Sequence, residues 1–150
     1  IALRRNPDCP VCGDVPTQTA LIDYELFCGL TPPSGGNAEA ARGFEELDAS
    51  SVAGLLKSET PPYLIDVREP WEWAVSSLAD RGARLIPLGE LGARLGEVPK
   101  ETPVVVYCRS GQRSRNAARE LVAAGYGPVT NLSGGLLSWA ESVDPDLPVV

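Results

Sequence analysis

The sequence predicts an α/β fold in which a small parallel sheet carries helices on both faces. Short apolar runs alternate with helical patterns from residue 44 onward, and this alternation is typical of a parallel sheet. The run over 103–107 is apolar after its first residues, as expected for a strand that is covered on both faces. With 150 residues, of which 43% are hydrophobic, the chain can build one ordinary core.

The sequence of the first half of the domain predicts three strands and two helices. The short run 44–47 suits an edge strand, and Asp48 or Ser50 is expected to cap the helix that follows because their side chains accept from free amides. The run 63–67 follows two prolines and predicts a central strand. Pro70 suits the first turn of a short helix. A further short strand is predicted at 84–87.

The second half continues the alternation. A short helix is predicted at 90–95, before the strand 103–107. The longest helix is expected at 113–124, because Gly125 suits the position after a helix end. A last strand is predicted at 129–132. A final helix is expected to begin at Gly134 and Gly135. Trp139 is expected in the core, and Trp71 and Trp73 in the core or at the rim of a pocket.

Composition divides the chain into three parts. Residues 1–28 centre on the C-x-x-C pair Cys9 and Cys12, residues 29–43 are rich in Gly, Pro and Ala and predict a linker, and the globular domain is expected over 44–150. The chain contains no Met and begins with Ile. We therefore expect it to be a fragment of a longer protein.

Charge and cysteine content favour a cytoplasmic protein without nucleic-acid or membrane partners. The formal net charge is −7, which argues against general nucleic-acid binding. The sequence has no apolar run long enough to span a membrane and no apolar signal-peptide core. Its four cysteines are not spaced like a secreted disulfide framework.

The candidate nucleophile is Cys108, which stands between a predicted buried strand and a helix start. Backbone amides converge at such a position and the helix dipole favours negative charge, so the pKa of a thiol falls and an anion can bind. The predicted anion-binding loop comprises Arg109, Ser110, Gly111, Gln112, Arg113 and Ser114. The alternative is that Cys108 only packs as a small hydrophobic residue.

Four of the 13 basic residues follow Cys108 within 11 positions. Arg109 and Arg113 are expected to attract an anion, whereas Arg115 and Arg119 fit equally well on a solvated helix face. The chain has no histidine, which excludes Cys-His and Ser-His dyads and histidine metal ligands within it. Local electrostatics must therefore activate the thiol.

The other cysteines offer half of a metal site. Cys9 and Cys12 on a tight turn can supply two thiolates to zinc, but a structural zinc site needs four ligands. Cys28 is expected to pack rather than react. A redox pair is less favoured, because no strand-to-helix context precedes the C-x-x-C.

Residues 44–150 resemble a rhodanese domain, a small sulfurtransferase fold. The resemblance rests on three separated motifs, which are Leu64-Ile65-Asp66-Val67-Arg68-Glu69, the loop 108–114, and Asn131-Leu132-Ser133-Gly134-Gly135 leading to Trp139. The chain departs from the family over 76–87, where members often carry Gly-His-Ile-Pro-Gly-Ala and this sequence has no histidine. The departure affects the expected pocket wall and not the expected fold.

Residues 1–28 resemble the end of a molybdopterin-synthase adenylyltransferase domain. The similarity lies in Arg4-Arg5-Asn6-Pro7-Asp8-Cys9-Pro10-Val11-Cys12-Gly13 and in Ile22-Asp23-Tyr24-Glu25-Leu26-Phe27-Cys28-Gly29. In fusion proteins of this family an adenylating domain activates a ubiquitin-like sulfur-carrier protein, and a C-terminal rhodanese domain supplies the sulfur. The resemblance implies that Cys9 and Cys12 bind zinc with an upstream C-x-x-C in the full-length protein, and that the rhodanese domain needs no cofactor.

The resemblance also implies a mechanism. Cys108 takes a sulfur atom from thiosulfate or a persulfide donor, the loop amides hold the persulfide, and the adenylated carrier receives the sulfur as a thiocarboxylate. Asp66 and Arg68 are expected to frame the pocket, and a purely structural ion pair between them fits the sequence equally well.

Two rival functions use the same residues. A cysteine phosphatase requires an arginine six positions after its cysteine, and that position is Ser114 here, while the arginines are Arg113 and Arg115. The loop is thus one residue short for a tetrahedral phosphate and better suited to a single sulfur atom. A non-catalytic docking module of rhodanese type is the second rival, and the presence of Cys108 argues against it.

Overall fold

A computed structural model describes residues 43–150, which form a five-stranded, wholly parallel sheet in the order β1-β5-β4-β2-β3. The strands are β1 (Glu45–Leu47), β2 (Tyr63–Asp66), β3 (Arg84–Leu85), β4 (Val104–Tyr107) and β5 (Val129–Leu132). The α-helices are α1 (Ala49–Leu55), α2 (Pro70–Val75), α3 (Leu91–Arg94), α4 (Gln112–Ala123) and α5 (Gly135–Ser142). Three 3₁₀ turns occupy Ala79–Arg81, Leu88–Glu90 and Leu95–Glu97.

Strand β4 lies at the centre of the sheet, and all four of its residues are buried. It pairs with β2 on one side, where Asp66 is opposite Tyr107, and with β5 on the other, where Asn131 is opposite Val106. Because parallel strands end at a common edge, the residues that follow β2, β4 and β5 are brought together there.

Helices cover both faces of the sheet, as the sequence predicts. On one face α3 and α4 bury Leu91 and Leu121 against a cluster that includes Cys108. On the other face α1 and α5 bury Val52 and Trp139 against Tyr107 and its neighbours. Side chains of a strand alternate between the two faces of a sheet, so Tyr107 and Cys108 pack into different halves of the core.

The predicted elements are confirmed, with differences at their ends. Asp48, and not Ser50, caps α1, since its carboxylate accepts from the amide of Ser51 at 2.8 Å. Pro70 begins α2. Gly125 has a φ of +83° after α4, and α5 extends to Ser142. The 3₁₀ turns carry no distinctive periodicity and were not predicted.

The three tryptophans differ in their exposure to solvent. Trp139 is fully buried, which confirms the sequence prediction. Trp73 is half-buried and packs against the core cluster of α1 and α5. Trp71 is 63% exposed, so the expectation of a core position is wrong for this residue, and its position at the rim of a pocket stays a prediction.

Candidate active site

The loop after β4 turns sharply at Gly111. Cys108 directly follows the strand, and Gly111 is the N-cap of α4 with a φ of +90°, a conformation that only glycine adopts readily. A Cβ at this position would lie 3.1 Å from the Gly134 nitrogen and 3.3 Å from the Leu132 oxygen. The glycine therefore permits both the turn and the close approach of the chain after β5.

The thiol of Cys108 is buried and surrounded by hydrogen-bond donors. Its Sγ accepts from the Gly111 amide at 3.2 Å and from the Ser114 hydroxyl at 3.5 Å. Burial raises the pKa of Cys108, but the hydroxyl and amide of Ser114 and the amides of Ser110 and Gly111 outweigh it, so the pKa lies below the ordinary thiol value. The geometry stabilises a thiolate without a general base.

The start of α5 holds the loop through two backbone hydrogen bonds. The amides of Leu136 and Leu137 donate to the carbonyls of Cys108 and Arg109 at 2.9 and 3.0 Å. Gly135 makes this contact possible: a Cβ there would lie 2.3 Å from the Cys108 oxygen. The glycine therefore permits a close approach between the start of α5 and the loop backbone.

Arg113 is held by a carboxylate that the sequence analysis missed. Glu72 in α2 accepts two bonds of 2.6 Å from the Arg113 guanidinium and one of 3.0 Å from the Glu69 amide. The Arg113 hydrogen bonds lower the pKa of Glu72, and Glu72 in turn raises that of Arg113. A Glu three residues after the N-cap Glu69 is a recognisable capping-box signal, but its pairing with a residue 41 positions away is not.

Apart from Gly111 and Arg113, the predicted loop residues lie toward solvent with one exception. Arg109, Ser110 and Gln112 are exposed, whereas Ser114 is buried beside the thiol. Within residues 43–150, Arg109 forms no ion pair. No carboxylate of the described domain therefore pairs with the guanidinium of Arg109, which directly follows Cys108 in the chain.

Asp66 and Arg68 bind each other and not the loop. Both are fully buried, and the guanidinium donates to the carboxylate at 2.8–3.0 Å and to the Ser76 carbonyl at 2.6 Å. Asp66 is opposite Tyr107, and both side chains lie on the sheet face opposite Cys108. The geometry is that of a structural ion pair at the edge of the sheet.

A second polar group missed by sequence reasoning links three elements. Asn131 in β5 is fully buried, and its Nδ2 donates to Glu46 at 3.0 Å and to the Gly111 carbonyl at 3.5 Å. Glu46 also accepts from Arg115 at 2.6 Å, while Arg119 is exposed and contacts Asn116. An asparagine inside a buried strand is the signal that could have pointed to this network.

Some predictions lie outside the described residues. These are the zinc ligands Cys9 and Cys12, the packing of Cys28, and the parts assigned to 1–28 and 29–43. Within residues 43–150 no group of three potential metal ligands comes together. No helix in this part of the chain has the length and apolar character needed to cross a bilayer.

The model of the Rhodanese-like domain family matches residues 48–142, and the chain belongs to this family. It is 39% identical to a sulfurtransferase of Allochromatium vinosum, over 70% of this chain and 94% of that protein. A solved structure of a rhodanese-related protein from Thermoplasma volcanium superposes with a TM-score of 0.58 at 29% identity, covering 71% of this chain and 97% of the other.

The similarity to a larger protein extends beyond the domain. The chain is 34% identical to the probable adenylyltransferase/sulfurtransferase MoeZ of Mycobacterium tuberculosis over 98% of its own length, and it spans 35% of that relative. The family match and these sulfurtransferase relatives give the domain a sulfur-transfer role. The fusion family expected from residues 1–28 is thus the one to which this chain is similar.

Proposed function

We propose that this chain forms a persulfide on Cys108 from thiosulfate or a persulfide donor and passes the sulfur to an adenylated, ubiquitin-like sulfur-carrier protein. The observation that carries the proposal is the ring of donors around a buried thiol: the Gly111 amide and the Ser114 hydroxyl already face Sγ. The same donors suit a persulfide, whose terminal sulfur also carries negative charge.

The first step needs only the thiolate. Its electron pair attacks the outer sulfur of the donor, the donor's S–S bond breaks, and sulfite or the donor thiolate leaves with the bonding pair. Arg109, exposed beside Cys108, would attract the anionic donor. The lowered pKa of Cys108 raises the fraction of thiolate at a given pH, and no histidine takes part in lowering it.

The second step would deliver the sulfur to the carrier. The Cys108 persulfide attacks the carrier's acyl-adenylate, AMP leaves, and a thiol reductant then cleaves the acyl disulfide to give a thiocarboxylate. Support comes from the similarity to MoeZ, whose name joins adenylyltransferase and sulfurtransferase. In the same setting Cys9 and Cys12 would bind zinc with two further cysteines of the longer protein, and the protein would act in the cytoplasm.

Intact mass spectrometry tests the first step. The chain is incubated with thiosulfate or with cysteine persulfide, and then with cyanide. We expect a gain of one sulfur atom on Cys108 that cyanide removes as thiocyanate. The matched control is Cys108→Ser, which should keep its circular dichroism spectrum and take up no sulfur, because a hydroxyl of this type does not ionise near neutral pH.

Three results would contradict the proposal. A folded chain with a free Cys108 thiol that gains no sulfur from either donor would favour the docking module. Sulfur uptake by Cys108→Ser equal to that of the unaltered chain would show that another group is the acceptor. Hydrolysis of an aryl phosphate in place of sulfur uptake would indicate the phosphatase chemistry for which the loop is one residue short.

A further inference from the structure

Glu72 stands at the boundary between α2 and the active loop with its carboxylate almost fully buried, at 4% exposure. Three donors fix it in place: both terminal nitrogens of Arg113 at 2.6 Å and the Glu69 amide at 3.0 Å. A bidentate pair of this kind is rigid and holds its two charges together. The positive charge of Arg113 is therefore matched by a negative charge that cannot move away.

The pair changes the charge that an incoming donor meets. Without Glu72, two loop arginines would face a donor near Cys108. With Glu72 in place, Arg109 is the cation of the loop that forms no ion pair within the described part of the chain. The thiosulfate ion brings two negative charges to a thiolate, whereas the reacting group of a persulfide brings at most one, so the lost cation matters more for thiosulfate.

We propose that Glu72 determines donor specificity: by neutralising Arg113 it weakens the binding of dianionic thiosulfate relative to a persulfide donor. This inference rests on the proposed sulfur transfer and assigns the donor class at the same site. It also alters the role expected for Arg113: this residue ties α4 to α2 through Glu72, and with its charge matched it attracts a dianionic donor less than an unpaired arginine would.

Both donors load the same atom, and the steps balance. With thiosulfate, the Cys108 thiolate bonds to the outer sulfur, the S–S bond breaks, and sulfite leaves as a dianion, which gives the Cys108 persulfide anion. With a persulfide RSSH, the same attack releases RS⁻ and leaves the proton on the new persulfide. A doubly charged group enters and leaves only when thiosulfate is the donor. Local positive charge therefore favours thiosulfate over a persulfide.

The test compares single-turnover loading of Cys108 by the two donors, followed by intact mass spectrometry on the full chain. In Glu72→Gln the Arg113 charge is no longer matched. We expect the half-saturating thiosulfate concentration to fall by about fivefold, with a smaller change in the maximal rate, and the rate with cysteine persulfide to stay within about twofold. The matched control is Glu101→Gln: Glu101 is exposed and precedes β4, at the edge of the sheet away from Cys108.

A double variant covers the case in which Glu72→Gln does not fold. Glu72→Gln/Arg113→Gln removes both charges, so the net charge of the pair stays zero as in the natural chain. We expect its half-saturating thiosulfate concentration to stay within about twofold of the unaltered chain. An increase of about tenfold or more would overturn the inference, because Arg113 would then bind the donor directly.

The outcomes separate the inference from the function on which it rests. If the unaltered chain takes sulfur from neither donor, the proposed function fails. If it takes sulfur from both, and Glu72→Gln leaves the thiosulfate half-saturation unchanged or raises it, sulfur transfer stands and the role of Glu72 is wrong. An equal effect in Glu101→Gln would attribute the change to overall charge and would also overturn the inference.

Discussion

The polar residues at the end of β2 bind one another, whereas those after β4 surround a thiol. Asp66 and Arg68 bind each other in a fully buried ion pair on one face of the sheet. One strand away, Cys108 lies on the opposite face and receives donors from Gly111 and Ser114. A polar residue at the carboxyl edge of this parallel sheet thus gains a chemical role only when its partners leave it able to bind something else.

Breaking the ion pair should have the largest effect, and on stability alone. Arg68→Met leaves the Asp66 carboxylate buried and unpaired, which should lower the free energy of unfolding by about 3–5 kcal/mol. Urea denaturation measures this change. Per folded molecule, we expect sulfur loading of Cys108 to be unchanged, because the pair makes its contacts with Ser76 on the other face.

A paired variant is the control for this prediction. Asp66→Asn/Arg68→Met removes both charges and should recover much of the lost stability. Loss of sulfur loading in either variant at a concentration where the protein is folded would show that the pair contributes to the site and not only to the scaffold.

Gly135→Ala should affect both stability and reactivity, to an intermediate degree. The new Cβ would meet the Cys108 and Arg109 carbonyls at 2.3–2.7 Å at a φ of +58°, so the loop or α5 must shift. We expect a loss of about 1–3 kcal/mol in unfolding free energy, together with slower sulfur loading. Gly96→Ala is the control, since its Cβ would meet nothing within 4 Å; equal effects in the two variants would contradict the contact.

Ser114→Ala should have the smallest effect, and on reactivity alone. It removes the hydroxyl that donates to Sγ at 3.5 Å but keeps the Ser114 amide, which also lowers the thiol pKa. The pKa of Cys108 should therefore rise. Iodoacetamide alkylation, which follows the thiolate, increases as the pH rises through that pKa, so its midpoint should move to higher pH.

At a fixed pH below the midpoint, alkylation of Ser114→Ala should be slower by about fivefold, the equivalent of one hydrogen bond of about 1 kcal/mol. Unfolding free energy should change little. Ser142→Ala, at the exposed end of α5, is the matched control. A midpoint that stays in place or moves to lower pH in Ser114→Ala would show that this hydroxyl does not stabilise the thiolate.

The sequence predicted what depends on local pattern. Five strands, the caps at Asp48 and Gly125, and the position of Cys108 between a strand and a helix follow from apolar runs and turn residues. The partners that are distant in the sequence could not be predicted from local pattern. Nothing local distinguishes Glu72 from the other acidic residues as the partner of Arg113, or shows that Asn131 reaches Gly111, because such pairs are set by which strands and helices become neighbours.

The support that α5 gives to the loop has a consequence for synthesis on the ribosome. Strand β5 inserts between β1 and β4, and the amides that hold the Cys108 and Arg109 carbonyls belong to Leu136 and Leu137. Strand β5, Leu136 and Leu137 all emerge after the cysteine. At about 5–20 residues per second, the loop passes seconds without the α5 amides that hold its carbonyls, so the geometry around the thiol should be completed among the last features of the domain.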